Sequence, residues 1–194
     1  MARPFLVRRS LSRLLLGLVR WRAVGEVPDR GVLVGAPHTS NWDWVLTLLL
    51  AWESEVVIRL LVKKEVFVGP LAWLLRATGA VPLDRRDPGG TIRRLVADAR
   101  TDESFLLGLA AEGTRSKAEH WKPGFYRIAQ QTGLPVTLAY IDRPSRRVGW
   151  GPTFELSGDV SADMDRVRAF YVDKTGIHPE RTTPPRLKEE GPRA

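Results

Sequence analysis

The chain has 194 residues, 43% hydrophobic and 27% charged, enough for one domain with a substantial core and far from the composition of a disordered polymer. Thirty Lys and Arg against 22 Asp and Glu leave a formal charge of +8, which favours an anionic partner such as a nucleic acid, a phospholipid or a phosphorylated substrate. With no Cys, disulfides, thiolate metal sites and a cysteine nucleophile are excluded. The apolar runs are also too short for the roughly 18 to 20 residues of a spanning helix.

The charge is concentrated at the start, where residues 1–30 hold seven Arg against Glu26 and Asp29. Residues 4–22 follow a helical pattern, with Leu11, Leu14, Leu15 and Leu18 on one stripe and Arg9, Arg13 and Arg20 opposite. Trp21 closes the segment at a place suited to the lipid headgroup level. This is the composition of an interfacial helix, and a helix that merely covers its own domain has much the same one. A cleaved signal peptide fits less well, because arginines recur through the segment.

Beyond a turn at 28–31, a strand is expected at 32–34, followed by a break at Pro37 and a helix over 42–52. A second strand falls at 56–62, a helix begun by proline at 70–76, and a third strand at 81–83. Thr91 is expected to cap a helix running to Arg100. Then come a buried strand at 105–109, a helix over 125–131 ended by Gly133, a strand at 136–141, a hairpin over 148–156 and a helix over 161–174. Strands alternating with helices give the class α/β: one domain, residues 26–180, with a mixed central sheet flanked by helices. An amphipathic helical segment, residues 1–25, precedes it. Residues 181–194, rich in Pro and charge, are expected to form a loose tail.

Two segments carry chemistry. In the first, Pro37-His38-Thr39-Ser40-Asn41-Trp42-Asp43, His38 belongs to the loop and Asp43 to the first helical turn. The carboxylate can then accept from one ring nitrogen and leave the other free to take a proton. Ser40 and Asp43 also satisfy a variant capping box, which needs no enzyme to justify it. The second segment, Glu112-Gly113-Thr114-Arg115, follows a buried strand and offers backbone amides, a hydroxyl and a guanidinium fork suited to phosphate. Taken alone it is equally a polar loop with an incidental Arg.

Together, His-x4-Asp followed some seventy residues later by Glu-Gly-Thr-Arg resembles the glycerolipid acyltransferase family that includes 1-acylglycerol-3-phosphate acyltransferases. Lys63 through Gly69-Pro70 to Gly79-Ala80-Val81-Pro82-Leu83-Asp84-Arg85 resembles a further block of that family, and Leu134-Pro135-Val136 another, all in order along the chain. The resemblance implies His38 as general base and Asp43 as its orienting partner. It implies that Glu112, Gly113, Thr114 and Arg115, with Arg85, hold the acceptor phosphate, and that Lys63 or Lys64 adds charge nearby. The donor would be acyl-CoA or acyl carrier protein and the acceptor a lysophospholipid, most simply 1-acylglycerol-3-phosphate, at an anionic membrane surface. No cofactor or metal is expected, because a thioester is already activated. The protein would then be peripheral, on the cytoplasmic face of the membrane.

Ala110 and Ala111 stand where many relatives carry an aromatic residue or a proline, and Asn41-Trp42-Asp43-Trp44 is unusual, which leaves an amino-lipid or glycolipid acceptor open. Core packing is the expected role of Trp42, Trp44, Trp52 and Trp73 over lining for an acyl chain. A serine hydrolase lacks its Gly-x-Ser-x-Gly elbow here. No nucleic-acid motif accompanies the charge, and no nucleic-acid partner is expected. A noncatalytic lipid-binding protein is the remaining alternative.

Overall fold

The structure, a computed structural model, describes residues 3–84 and 86–190. In chain order the elements are α1 (Arg3–Leu18), β1 (Arg22–Val24), β2 (Gly31–Ala36), α2 (Trp42–Glu53), β3 (Arg59–Lys63), α3 (Gly69–Ala77), β4 (Ala80–Leu83), α4 (Pro88–Thr101), β5 (Leu106–Ala110), α5 (Gly124–Thr132), β6 (Val136–Asp142), β7 (Arg147–Phe154) and α6 (Val160–Tyr171). Short 3-10 turns occupy Lys64–Val66, Pro179–Arg181 and Lys188–Glu190.

The seven strands form one mixed sheet in the order β1-β7-β6-β2-β5-β3-β4. From β6 to β4 every neighbour is parallel, while β7 returns antiparallel to β6 and takes the short β1 alongside it. The central strand β2, GVLVGA, is buried along almost its whole length. That is the condition of a parallel strand covered by helices on both faces, and it explains a continuous apolar run where an alternating one would serve a half-exposed strand.

Alternation along β2 assigns its side chains to two cores. Val32 and Val34 face a cluster with Leu95 of α4, Phe125 and Ile128 of α5 and Met164 and Val167 of α6. Leu33 faces the other side, where Leu46, Leu49 and Leu50 of α2 and Leu16 of α1 pack. On α2 these leucines recur at the spacing that keeps one stripe on the sheet.

Three expectations change. The fourth helix begins at Pro88, ahead of the expected Thr91, because the Asp87 side chain caps it by accepting from Gly90 N at 2.9 Å. The first helix ends at Leu18, and residues 22–24 join the sheet edge instead. Residues 181–190 are packed and not loose: Thr183 and Leu187 are buried, Trp121 Nε1 donates to Thr183 O at 2.9 Å, and Arg168 meets Glu190 at 2.6 Å. Segment composition averages over the single leucine that fills the gap beside Trp121, so its charge and proline conceal the packing. Residues 191–194 lie outside the described residues.

The first helix packs on the domain along one face and leaves most of its leucines bare. Ser12 and Leu16 are buried on α2, with Ser12 Oγ donating to Leu49 O at 2.7 Å. Arg9 and Arg13 pair with Glu53 and Glu55, at and just past the end of α2. Leu6, Leu11, Leu14 and Leu18 remain exposed, Leu18 at 72%.

Candidate active site

The helix after β2 packs on one face of the sheet and the helix after β5 on the other, although the two strands are direct parallel neighbours. The loops leaving their carboxyl ends therefore part in opposite directions and open a crevice. In parallel α/β sheets this is where ligands bind. The two chemistry-bearing segments of the sequence are those two loops.

On the β2 side, Asp43 lies in the first turn of α2 and is 3% exposed. Its Oδ2 accepts from Thr39 N at 2.7 Å and Ser40 N at 2.8 Å, and faces His38 Nδ1 at 3.2 Å. This is one half of the expected capping box, the carboxylate reaching back; Ser40 supplies only a 3.2 Å acceptor for Trp42 N. The arrangement folds the loop around the carboxylate and directs Nδ1 of His38 inward. The ring is a quarter exposed, so its other edge reaches solvent.

On the β5 side, Glu112 is fully buried and its Oε1 accepts from His38 N at 2.9 Å. That corrects its expected role: a carboxylate with no exposed surface cannot touch a phosphate, and its charge would repel one. Glu112 instead ties the second loop to the first. Burial pushes its pKa up to about 7, with the Asp43 charge adding to the rise and the His38 and Thr183 amides opposing it.

The rest of the turn lies against the His38 loop through Arg115. Gly113 adopts φ +67°, and a Cβ there would meet the Lys122 side chain at 2.8 Å, so glycine is required on two counts. Thr114 is half-buried, its hydroxyl accepting from Ser116 N at 3.3 Å. Arg115 is exposed and donates through Nη1 to Asn41 Oδ1, three residues from His38 in sequence. Lys63 is exposed at the carboxyl end of β3, the strand beside β5, with Lys64 bonded to Asp84 at 2.9 Å. Arg85 lies outside the described residues. Among the described residues no group of three His, Asp or Glu side chains forms a metal set.

Several participants escape sequence reasoning. Asn41, the partner of Arg115, carries a weak signal through its place in the His38 loop. The segment 175–183, which touches both loops, carries none. Trp42 and Trp73 depart from the expected core packing, being 63% and 73% exposed, while Trp44 and Trp52 are half-buried.

The raised Glu112 pKa has a consequence for folding. The native state retains a proton that the unfolded chain releases above its ordinary value of 4.5, so this group's contribution is fully present below that pH and is lost as pH rises through about 7. The shift corresponds to about 3 kcal/mol at 1.36 kcal/mol per unit. Glu112→Gln, which keeps an acceptor for His38 N and does not titrate, is expected to gain stability relative to wild type across this window. Denaturant midpoints measured between pH 4.5 and 8 check it; parallel curves for the two proteins would contradict it.

Residues 19–141, more than half of the chain, match the model of the family described as Acyltransferase. Among solved structures, the 1-acyl-sn-glycerophosphate (LPA) acyltransferase PlsC from Thermotoga maritima shares the fold with a TM-score of 0.61 and 19% identity, over 88% of this chain and 76% of that one. No curated protein matched. With both motif loops inside the matched span and at one crevice, the chain belongs to the acyltransferase family.

Proposed function

We propose that the protein transfers a fatty acyl group from an acyl thioester, acyl-CoA or acyl carrier protein, to the free hydroxyl of a lysophospholipid, with 1-acylglycerol-3-phosphate as acceptor. The observation that carries this reading is the contact of His38 Nδ1 with buried Asp43, beside a turn that presents Thr114 and Arg115. With Nδ1 donating to the carboxylate, Nε2 of the neutral ring takes the acceptor's hydroxyl proton as its oxygen attacks the thioester carbonyl. Asp43 stabilises the imidazolium that forms. Collapse of the tetrahedral adduct forms the ester and expels a thiolate, which recovers the proton from His38. Arg115 and Thr114, on the bend made by Gly113, hold the acceptor phosphate in this reading, with Lys63 and Arg85 adding positive charge.

The bare leucine row of α1 supports action at a lipid surface. Val68, Leu71, Trp73 and Leu74, on and just before α3, are exposed too. Among the described residues no helix is long and apolar enough to cross a membrane. The proposal therefore places the protein peripherally, on an anionic surface, and on the cytoplasmic face because a polyanionic thioester donor does not cross a bilayer.

Labelled acyl-CoA or acyl carrier protein, offered with lysophosphatidic acid, an amino-lipid and a glycolipid in vesicles, tests the reaction and names the acceptor. His38→Ala is expected to lower turnover by about 10²- to 10⁴-fold, and unchanged turnover would refute the base. Wild-type protein that binds vesicles yet acylates none of the acceptors would favour the noncatalytic lipid-binding reading. For the surface, Leu14→Glu with Leu18→Glu is expected to weaken sedimentation with anionic vesicles by roughly 100-fold, from about 3 kcal/mol of lost apolar insertion. Because neither side chain is buried in the domain, the melting temperature should hold; unchanged vesicle binding would remove α1 from the contact.

A further inference from the structure

Residues 175–183 lie beyond the span that matches the family, yet they cross the carboxyl ends of three adjacent strands. At the end of β6, Thr175 N donates to Asp142 Oδ1 at 3.0 Å and Arg143 N donates to Thr175 O at 2.8 Å. Over the β2 loop, His178 N donates to Thr39 Oγ1 at 3.0 Å and Arg181 Nη1 reaches Thr39 O at 3.4 Å. At the β5 side, Thr183 Oγ1 accepts from Ala118 N at 2.9 Å and Thr183 O accepts from Trp121 Nε1 at 2.9 Å.

Thr39 is the point where this strap meets the chemistry. It has no exposed surface and sits next to His38, and its own N–H is one of the donors that orient Asp43 Oδ2. Its side chain and carbonyl face the strap while its amide faces the carboxylate, so a shift of the strap is passed directly to the pair that sets the His38 ring. The fit is close: a Cβ on Gly176 would lie 2.8 Å from Thr39 Oγ1 and 3.0 Å from Pro37 Cβ. A buried threonine bonded on three sides by groups from two segments has little freedom to move alone.

We propose that Thr39 is a positioning residue for acyl transfer, clamped by the strap 175–183, which holds the His38 loop in register with the Glu112–Arg115 turn. This rests on His38 being the base, and it adds a determinant of activity, the strap, from outside the matched span. Thr39→Val keeps the shape and removes the acceptor for His178 N. Thr39→Ser restores it. Gly176→Ala disturbs the same contact with Thr39 intact, should the valine variant fold poorly.

The test measures steady-state acyl transfer, thermal melting and amide hydrogen exchange over residues 37–43 in the full chain. For Thr39→Val and Gly176→Ala, kcat is expected to fall by about 10- to 100-fold with the donor KM within about twofold, the scale of a displaced catalytic group. Exchange of the loop amides should rise while the melt stays close to wild type, and Thr39→Ser should recover both kcat and protection. Wild-type kcat and exchange in Thr39→Val and Gly176→Ala, or equal loss in the serine and valine variants, would overturn the inference. A His38→Ala arm separates the two claims. If that variant is active, the base assignment fails and loop exchange alone decides the clamp; if it is inactive while Thr39→Val matches wild type, only the clamp fails.

Discussion

Oδ2 of Asp43 accepts two backbone N–H groups and faces the ring nitrogen of His38 from a position almost closed to solvent. A charge removed from water is tolerated only when donors converge on it, and here the donors are the loop itself. Residues 38–40 wrap Oδ2 and turn the His38 ring toward it, while Oδ1 is buried with no hydrogen-bond partner among the described residues. One ring nitrogen of His38 faces the carboxylate, and the ring is about a quarter exposed.

A second buried carboxylate extends the arrangement across the crevice. Glu112 follows the neighbouring strand and holds the backbone of His38, and Arg115 reaches Asn41, so the two loops that the sheet topology drives apart are rejoined. Two carboxyl groups share this small volume, and burial together with the Asp43 charge raises the Glu112 pKa to about 7. Parallel strand order supplies the opening, the carboxylates supply its rigidity, and Gly113 supplies the bend that lets Thr114 and Arg115 turn back over it.

Much of this was legible in the sequence, for physical reasons that differ between elements. The buried parallel strands announce themselves as unbroken apolar runs, and α2 by leucines at one helical stripe. The junction after β2 is visible because Pro, His, Ser and Asp each have a reason to stand at a helix start. What failed were cases where a local pattern has two tertiary solutions. Glu112 looks like part of a phosphate-binding turn because its neighbours are polar, and only the fold reveals that it points away from them. Thr183 and Leu187, within a stretch of proline and charge, are fixed by Trp121, more than sixty residues earlier.

The central claim concerns one proton on one ring. Long-range proton–nitrogen correlation spectra of the folded protein, with ring nitrogens labelled, report which nitrogen of neutral His38 carries it. If Asp43 orients the ring as described, the proton is on Nδ1 and Nε2 is the free base. A ring protonated on Nε2, with Nδ1 bare toward the carboxylate, would contradict the account.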